Sequence, residues 1–255
     1  MNTQMDPTPA LGLTSRSQIA RRLSETWAGA NLYCLACNFD QIEPTPRNTE
    51  AVDFVCKGCS APYQLKAMRK WNERRVPDAG YDAMVRALRS DSVPNLAVMQ
   101  YLDDWTVHNL LIVPAFFFSL AAVQRRKPLA QTARRAGWVG CNILLSEIAD
   151  DGKIRVISQG VPLPPQEVRE EYARVRPFGN IGAKSRGWTL DVLHMIRQIG
   201  KSRFCLDDVY TCEKHLSTIY PGNRNVRPKI RQQLQVLRDL GFLAFEGHGR
   251  YRMLQ

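Results

Sequence analysis

The sequence predicts a mixed α/β chain in two parts, and three observations predict it. Two cysteine pairs, Cys34-Leu-Ala-Cys37 and Cys56-Lys-Gly-Cys59, stand 18 residues apart, the spacing of a closed metal site. Apolar runs at residues 96–102 and 109–113 have the density of central strands, and residues 82–90 before them have helical spacing. From Arg186 onward apolar residues recur on helical stripes and then alternate, as three helices followed by a hairpin do. Residues 1–182 are therefore expected to form an α/β domain with an embedded four-cysteine zinc site. Residues 183–255 are expected to form an α+β winged-helix domain.

At 255 residues, 44% of them apolar, the chain is long enough for one large domain or two modest ones, and disorder throughout is excluded. No apolar stretch approaches the roughly 18 residues of a membrane span, since the longest candidate, residues 110–123, is broken by Pro114. Asp6, Pro7 and Pro9 precede any apolar run, unlike the layout of a secretory signal. A cytoplasmic protein is expected, with no membrane and no obligatory protein partner. The chain carries +11, unevenly: residues 183–255 hold 13 basic against 6 acidic side chains, and residues 1–182 hold 22 against 18. The C-terminal part is the expected polyanion binder.

Residues 17–27 read as a helix that caps the fold. After it come the cysteines, whose thiolates in a reducing compartment take the four corners of a structural zinc site with no position open for water. The remaining cysteines, Cys141, Cys205 and Cys212, are isolated and read as core. Strand-like residues 51–56 and 61–66 flank the second pair, so that knuckle serves as the turn of a hairpin. If Cys56 and Cys59 face the metal, period-two alternation sends Asp53, Gln64 and Lys66, all at odd offsets, to the opposite face. Asp53 then lies across from Gln64, unless a bulge at Pro62 upsets the register. Residues 67–123 read as ordinary scaffold.

Such a triplet is what metal-dependent phosphodiester hydrolysis needs. Asp53 supplies a hard carboxylate for magnesium, Gln64 an amide oxygen, and the carbonyl of Leu65 completes an oxygen cage. Lys66 orients or deprotonates the attacking water and stabilises charge gathering on the phosphate. Standing alone, D-x10-Q-x-K is an unspecific pattern, and a lysine at the end of a strand is usually solvated surface.

Beyond the strands, Arg125, Arg126, Lys127, Arg134 and Arg135 crowd a short segment that ends at Trp138 beside Gly137. Arginines on a loop clamp backbone phosphates, and the tryptophan can press its ring on a base; the bland alternative is a core tryptophan among surface arginines. In the C-terminal part, Trp188, Val192, Leu193 and Ile196 form one stripe ending at Gly200, and residues 206–212 a second helix capped by Asp207 or its neighbour. The third helix has Pro228 in its first turn, Ile230, Leu234 and Leu237 inside, and Gly241 at its end. Its outer face is expected to carry Arg224, Asn225, Arg227, Lys229, Arg231, Gln232 and Gln233 toward phosphates and the major groove. Residues 242–253 alternate as a two-stranded wing around Gly247-His-Gly249.

The cysteines, Trp27, Asp53 and Lys66 carry a resemblance, as do Gln124-Arg-Arg-Lys-Pro-Leu-Ala130 and Thr132-Ala-Arg-Arg-Ala-Gly-Trp138. So do Ser185-Arg-Gly-Trp-Thr189 and Lys229-Ile-Arg-Gln-Gln-Leu-Gln235. The chain resembles the DpnI family of restriction endonucleases, which cut DNA at GATC when the adenine carries a methyl group on its exocyclic nitrogen. The resemblance covers most of the chain. It implies a PD-(D/E)xK nuclease core with structural zinc, a winged helix, magnesium-dependent cleavage, and double-stranded DNA with methylated adenine as partner. One position departs: Gln64 stands where the family's motif has glutamate, which removes a negative charge from the metal site and leaves an inactive zinc-ribbon/winged-helix regulator as the alternative. Burying one methyl is worth only about 0.8 kcal/mol, roughly fourfold. A palindrome offers two methyls to two reading domains, so the contributions are expected to add, with Trp138 and aromatic neighbours framing one pocket.

Overall fold

The computed structural model describes residues 1–46, 49 and 51–254. In chain order its first elements are α1 (Arg16–Asn31), β1 (Glu43–Pro44), β2 (Phe54–Val55), β3 (Pro62–Met68), β4 (Arg75–Gly80), α2 (Tyr81–Arg89), β5 (Asn95–Tyr101) and β6 (Val107–Val113). They continue with β7 (Val123–Arg125), β8 (Gly140–Leu144), β9 (Ile154–Ser158), β10 (Val161–Pro162) and α3 (Pro165–Val175). The last are α4 (Ala183–Ile199), β11 (Arg203–Cys205), α5 (Leu206–Tyr210), α6 (Glu213–Ile219), α7 (Val226–Asp239), β12 (Leu243–Gly247) and β13 (Arg250–Met253). Among the described residues no helix is long and apolar enough to cross a membrane.

Packing divides the chain into two compact units that are discontinuous in sequence. The first comprises Met1–Val76, Val93–Ala115 and Asp151–Arg176, and the second Pro77–Ser92, Phe116–Asp150 and Pro177–Gln255. The first is built on a mixed sheet of order β1-β2-β3-β5-β6-β9-β10. Within it β3 and β5 run parallel and their neighbours antiparallel. The apolar runs foreseen as central strands are β5 and β6, where Leu96, Val98, Leu110 and Ile112 are buried. Against the sheet lies α1, which buries Leu23, Trp27 and Ala28, and the Trp27 indole donates to the carbonyl of Asn2 at 2.8 Å. The strand foreseen over residues 51–56 shortens to two residues, Phe54 and Val55.

In the second unit, β4-β8-β7 form a small sheet and β11-β13-β12 another, with helices α2 and α4 to α7. Phe178 stands edge-on to Phe117 at 5.1 Å and to Phe242 at 5.0 Å, and the Trp188 ring stacks on Tyr220 at 4.0 Å. Two C-terminal details differ from expectation. The wing gains a third strand, because Phe204 of β11 stacks on Tyr251 of β13 and β11 pairs along its length with β13. The expected second helix is α5, capped by Cys205, whose amide donates to Asp208 at 2.8 Å, and a further short helix, α6, follows it without having been foreseen. After α7 the chain turns at Gly241, where a φ of 81° suits a residue without a side chain.

A buried polar cluster crosses this unit. Asp191 of α4 is 2% exposed and accepts hydrogen bonds from the hydroxyls of Ser119 at 2.5 Å and Tyr220 at 2.6 Å. Arg186, also buried, pairs with Asp91 and donates to the carbonyl of Ile181 at 2.9 Å. Burial pushes the Asp191 carboxyl up to about 6, against the pull of its two hydroxyl donors. An acid with a raised folded pKa holds its proton more tightly in the folded chain. Its contribution to stability is therefore full below its unfolded value near 4 and is lost as pH rises to about 6. Urea unfolding across pH 4 to 7 should show stability of the native sequence falling by up to about 1.4 kcal/mol per pH unit more steeply than that of Asp191→Asn. Parallel curves would show that the carboxyl ionises without cost.

Candidate functional site

The four cysteines converge. Their sulfurs all lie within 4.8 Å of one another, with Cys34 and Cys59 at 3.6 Å and Cys37 and Cys56 at 3.5 Å. A tetrahedral zinc with bonds of about 2.3 Å needs sulfurs about 3.8 Å apart, so the donor set fits a structural metal such as zinc. Backbone turns hold each knuckle: the amide of Cys34 donates to the carbonyl of Phe39 at 3.0 Å, and that of Ser60 to the carbonyl of Cys56 at 2.8 Å. Burial raises the Cys34 thiol and pushes that of Cys59 up to about 12, so metal uptake here must displace protons.

A residue that sequence reasoning passed over clamps this cluster. Arg169 of α3 donates to the carbonyls of Cys34 and Phe39, each at 3.1 Å, and to the Asp40 carboxylate at 3.1 Å. Its guanidinium lies 5.0 Å from the centre of the Tyr33 ring. One arginine in the charged run Glu167-Val-Arg-Glu-Glu171 carries no signal that marks it as a clamp.

Strand β3 presents two different faces. Tyr63 points to the cysteines: its hydroxyl lies 3.4 Å from the Cys34 sulfur and accepts the amide of Leu35 at 3.1 Å. Alternation then turns Gln64 and Lys66 to the other face. The ladder Val55 to Pro62 and Phe54 to Tyr63 runs without a bulge at the proline. The Asp53 amide then donates to the Tyr63 carbonyl at 2.9 Å, one residue out of that register, so the pairing shifts at Asp53 and the alternation expected from the cysteines does not by itself place Asp53 across from Gln64. Beyond that point β2 has ended, and the Asp53 carboxylate takes the place of a strand neighbour by accepting the Leu65 amide at 2.8 Å. In an extended strand the N–H and C=O of one residue share an edge, so the Leu65 carbonyl opens toward Asp53. Gln64 is 8% exposed, while Asp53 and Lys66 are half-buried. The structure thus brings the Asp53 carboxylate to the Leu65 amide, whose neighbours along the strand are Gln64 and Lys66. On the same face Gln100 is in register with Met68 and accepts from Asn109 at 2.6 Å. These two amides escaped sequence reasoning because apolar residues surround them.

The expected DNA-facing residues belong to the second unit. Arg125, Arg126, Lys127, Arg134 and Arg135 are all exposed. Arg125 lies over the Tyr81 ring at 5.6 Å and Arg135 over Trp138 at 4.7 Å. The loop closes where the Leu129 amide meets the Trp138 carbonyl at 2.9 Å. Trp138 is half-buried, its ring laid on Gly140, where a Cβ would come within 2.8 Å. On α7, Arg227, Arg231 and Gln232 are exposed and Lys229 half-buried, while Arg224 and Asn225 precede the helix. Arg227 pairs with Glu213 at 2.7 Å, and Arg231 donates to the Tyr210 hydroxyl at 2.9 Å. Gln233 corrects the sequence reading. It is fully buried and accepts from the Thr189 hydroxyl at 2.8 Å, so it ties α7 to α4 and offers nothing to a groove.

Replacing Cys59 by serine should lower bound zinc, read by metal analysis of the purified protein, from one equivalent to well below one. It should also lower the melting temperature, because metal binding energy is folding energy at such a site. Unchanged metal content would remove the cluster from consideration.

A family model described as DpnI, Dam-replacing family, matches residues 1–180, and a second, described as the Dam-replacing HTH domain, matches residues 184–253.

Proposed function

Because the chain belongs to the DpnI, Dam-replacing family, we propose that it is a restriction endonuclease that cleaves double-stranded DNA at GATC sites containing N6-methyladenine. In this reading residues 1–182 are a PD-(D/E)xK nuclease domain and residues 183–255 a winged-helix domain that binds DNA. The observation that carries it is the hydrogen bond that holds the Asp53 carboxylate at the Leu65 amide, between Gln64 and Lys66 on the strand.

The hydrogen bond from the Leu65 amide fixes the Asp53 carboxylate while leaving further lone pairs on its oxygens. With the Gln64 amide oxygen and the Leu65 carbonyl it makes a set of hard oxygen donors suited to magnesium. Magnesium, when bound, supplies Lewis-acid polarisation of the scissile phosphate. Lys66 holds the attacking water in line, steers its proton away, and offsets the negative charge that gathers on the phosphate oxygens. The exposed arginines 125, 126, 134 and 135, with Lys127, contact backbone phosphates, and Trp138 frames the methyl-reading pocket. Arg224, Asn225, Arg227, Lys229, Arg231 and Gln232 present the second reading surface.

Purified protein with magnesium should fragment plasmid from an adenine-methylating host and leave plasmid from a non-methylating host intact. Lys66→Ala should bind the methylated plasmid and lose about two to four orders of magnitude in cleavage rate. A variant that still cleaves at the native rate would overturn the mechanism. Retardation without cutting by the native protein would favour a second reading, an inactive regulator that binds methylated DNA. Gln64 supports that reading, because a neutral oxygen there binds a divalent cation more weakly than a carboxylate. Gln64→Glu should lower the magnesium concentration for half-maximal cleavage at least about tenfold.

A further inference from the structure

The segment that follows β3 reads in sequence as plain scaffold, yet it is dense in cations. Residues 69–75 read Arg-Lys-Trp-Asn-Glu-Arg-Arg, four cations against one acid. All but Trp71, which is half-buried, are exposed. The segment is held in shape at three points. Arg69 donates to Asp103 at 2.6 Å, the Asn72 side-chain oxygen accepts the amides of Arg74 at 2.9 Å and Arg75 at 3.2 Å, and the Trp71 indole donates to Glu73 at 3.3 Å. Because β3 and β5 run parallel, their C-terminal ends share one sheet edge. The stacked rings of Tyr101 and Trp105, 5.2 Å apart, lie at the end of β5 and in the chain that follows it at that edge. The segment therefore leaves the strand that bears Gln64 and Lys66 as a shaped, positively charged, aromatic-flanked rim.

Distance supports a common substrate. Lys70 stands four residues beyond Lys66, at most about 13 Å along an extended chain. A single DNA strand advances about 3.4 Å per phosphate. A strand seated on Asp53, Gln64 and Lys66 thus carries its next few phosphates past this rim. We infer that residues 69–75 form a DNA-backbone clamp beside the cleavage face, with Lys70, Arg74 and Arg75 neutralising phosphates next to the scissile one. This assignment rests on the nuclease reading for the position of the DNA, but it is tested by binding alone.

The full chain carrying Lys70→Gln, Arg74→Gln and Arg75→Gln together is titrated, over a range of salt concentrations, with a methylated GATC duplex and with its unmethylated counterpart. Each lost phosphate contact lowers the slope of log affinity against log salt by about 0.9, so the slope should fall by up to about 2.7 on both duplexes. Because backbone contacts carry no sequence information, the loss should not depend on methylation. The charge-keeping variant Lys70→Arg, Arg74→Lys, Arg75→Lys should retain the native slope, and the single variants Lys70→Gln, Arg74→Gln and Arg75→Gln, each expected to lower it by up to about 0.9, carry the test should the triple glutamine variant fail to fold. A native slope in the glutamine variant, or a lowered slope in the charge-keeping one, overturns the clamp. Failure of the native protein to cut methylated plasmid would instead count against the nuclease reading, and a salt slope lost with the three charges would still establish the clamp.

Discussion

The alternation of side chains along β3 is the constraint on which the candidate site depends. Tyr63 reaches the Cys34 sulfur, so Gln64 and Lys66 must face away from it, and a one-residue slip would exchange the two roles. The cysteine cluster and the arginine of α3 that braces it act as a fixture for that register. They tie down the turn between β2 and β3, and just before that short ladder the Asp53 carboxylate takes the Leu65 amide. A strand pair only two residues long has little hold on its own register. The turns of the knuckle and its converging sulfurs supply what the ladder lacks.

Much of this is legible in the sequence, because it follows from spacing. Two Cys-x-x-Cys pairs and the odd offsets to Gln64 and Lys66 need only strand periodicity to be interpreted, whereas Asp53 lies where the pairing shifts and is placed by its bond to the Leu65 amide. What escaped was whatever depends on partners distant in sequence. Gln233 reads as one more polar residue on a helix face, and its inward turn is decided by Thr189, 44 residues earlier. Asp191 sits in an apolar stripe, where an acid looks misplaced until Ser119 and Tyr220 arrive from separate segments. The third strand of the wing was missed because three residues, Arg203–Cys205, are too few to show a period.

Division of the chain into packing units differs in kind from its division into sequence modules. Residues 116–150, which carry the arginine-rich loop and Trp138, pack with the C-terminal helices through a core that includes the phenylalanines at 117, 178 and 242. Surfaces that a linear reading assigns to separate domains thereby share one buried core, and strain introduced in that core would be felt by both.

The bond between Arg169 and the carbonyl of Cys34 joins positions 135 residues apart. During synthesis the four thiols emerge from the ribosome long before the helix that braces them. β9, which completes the interior of the main sheet, is also translated after them. Until about two thirds of the chain exists, the strand bearing the acid's partner and the lysine lacks both its brace and the finished sheet around it. A chain cut short before α3 therefore lacks both the arginine that braces the cysteine cluster and the strand that completes the interior of the sheet.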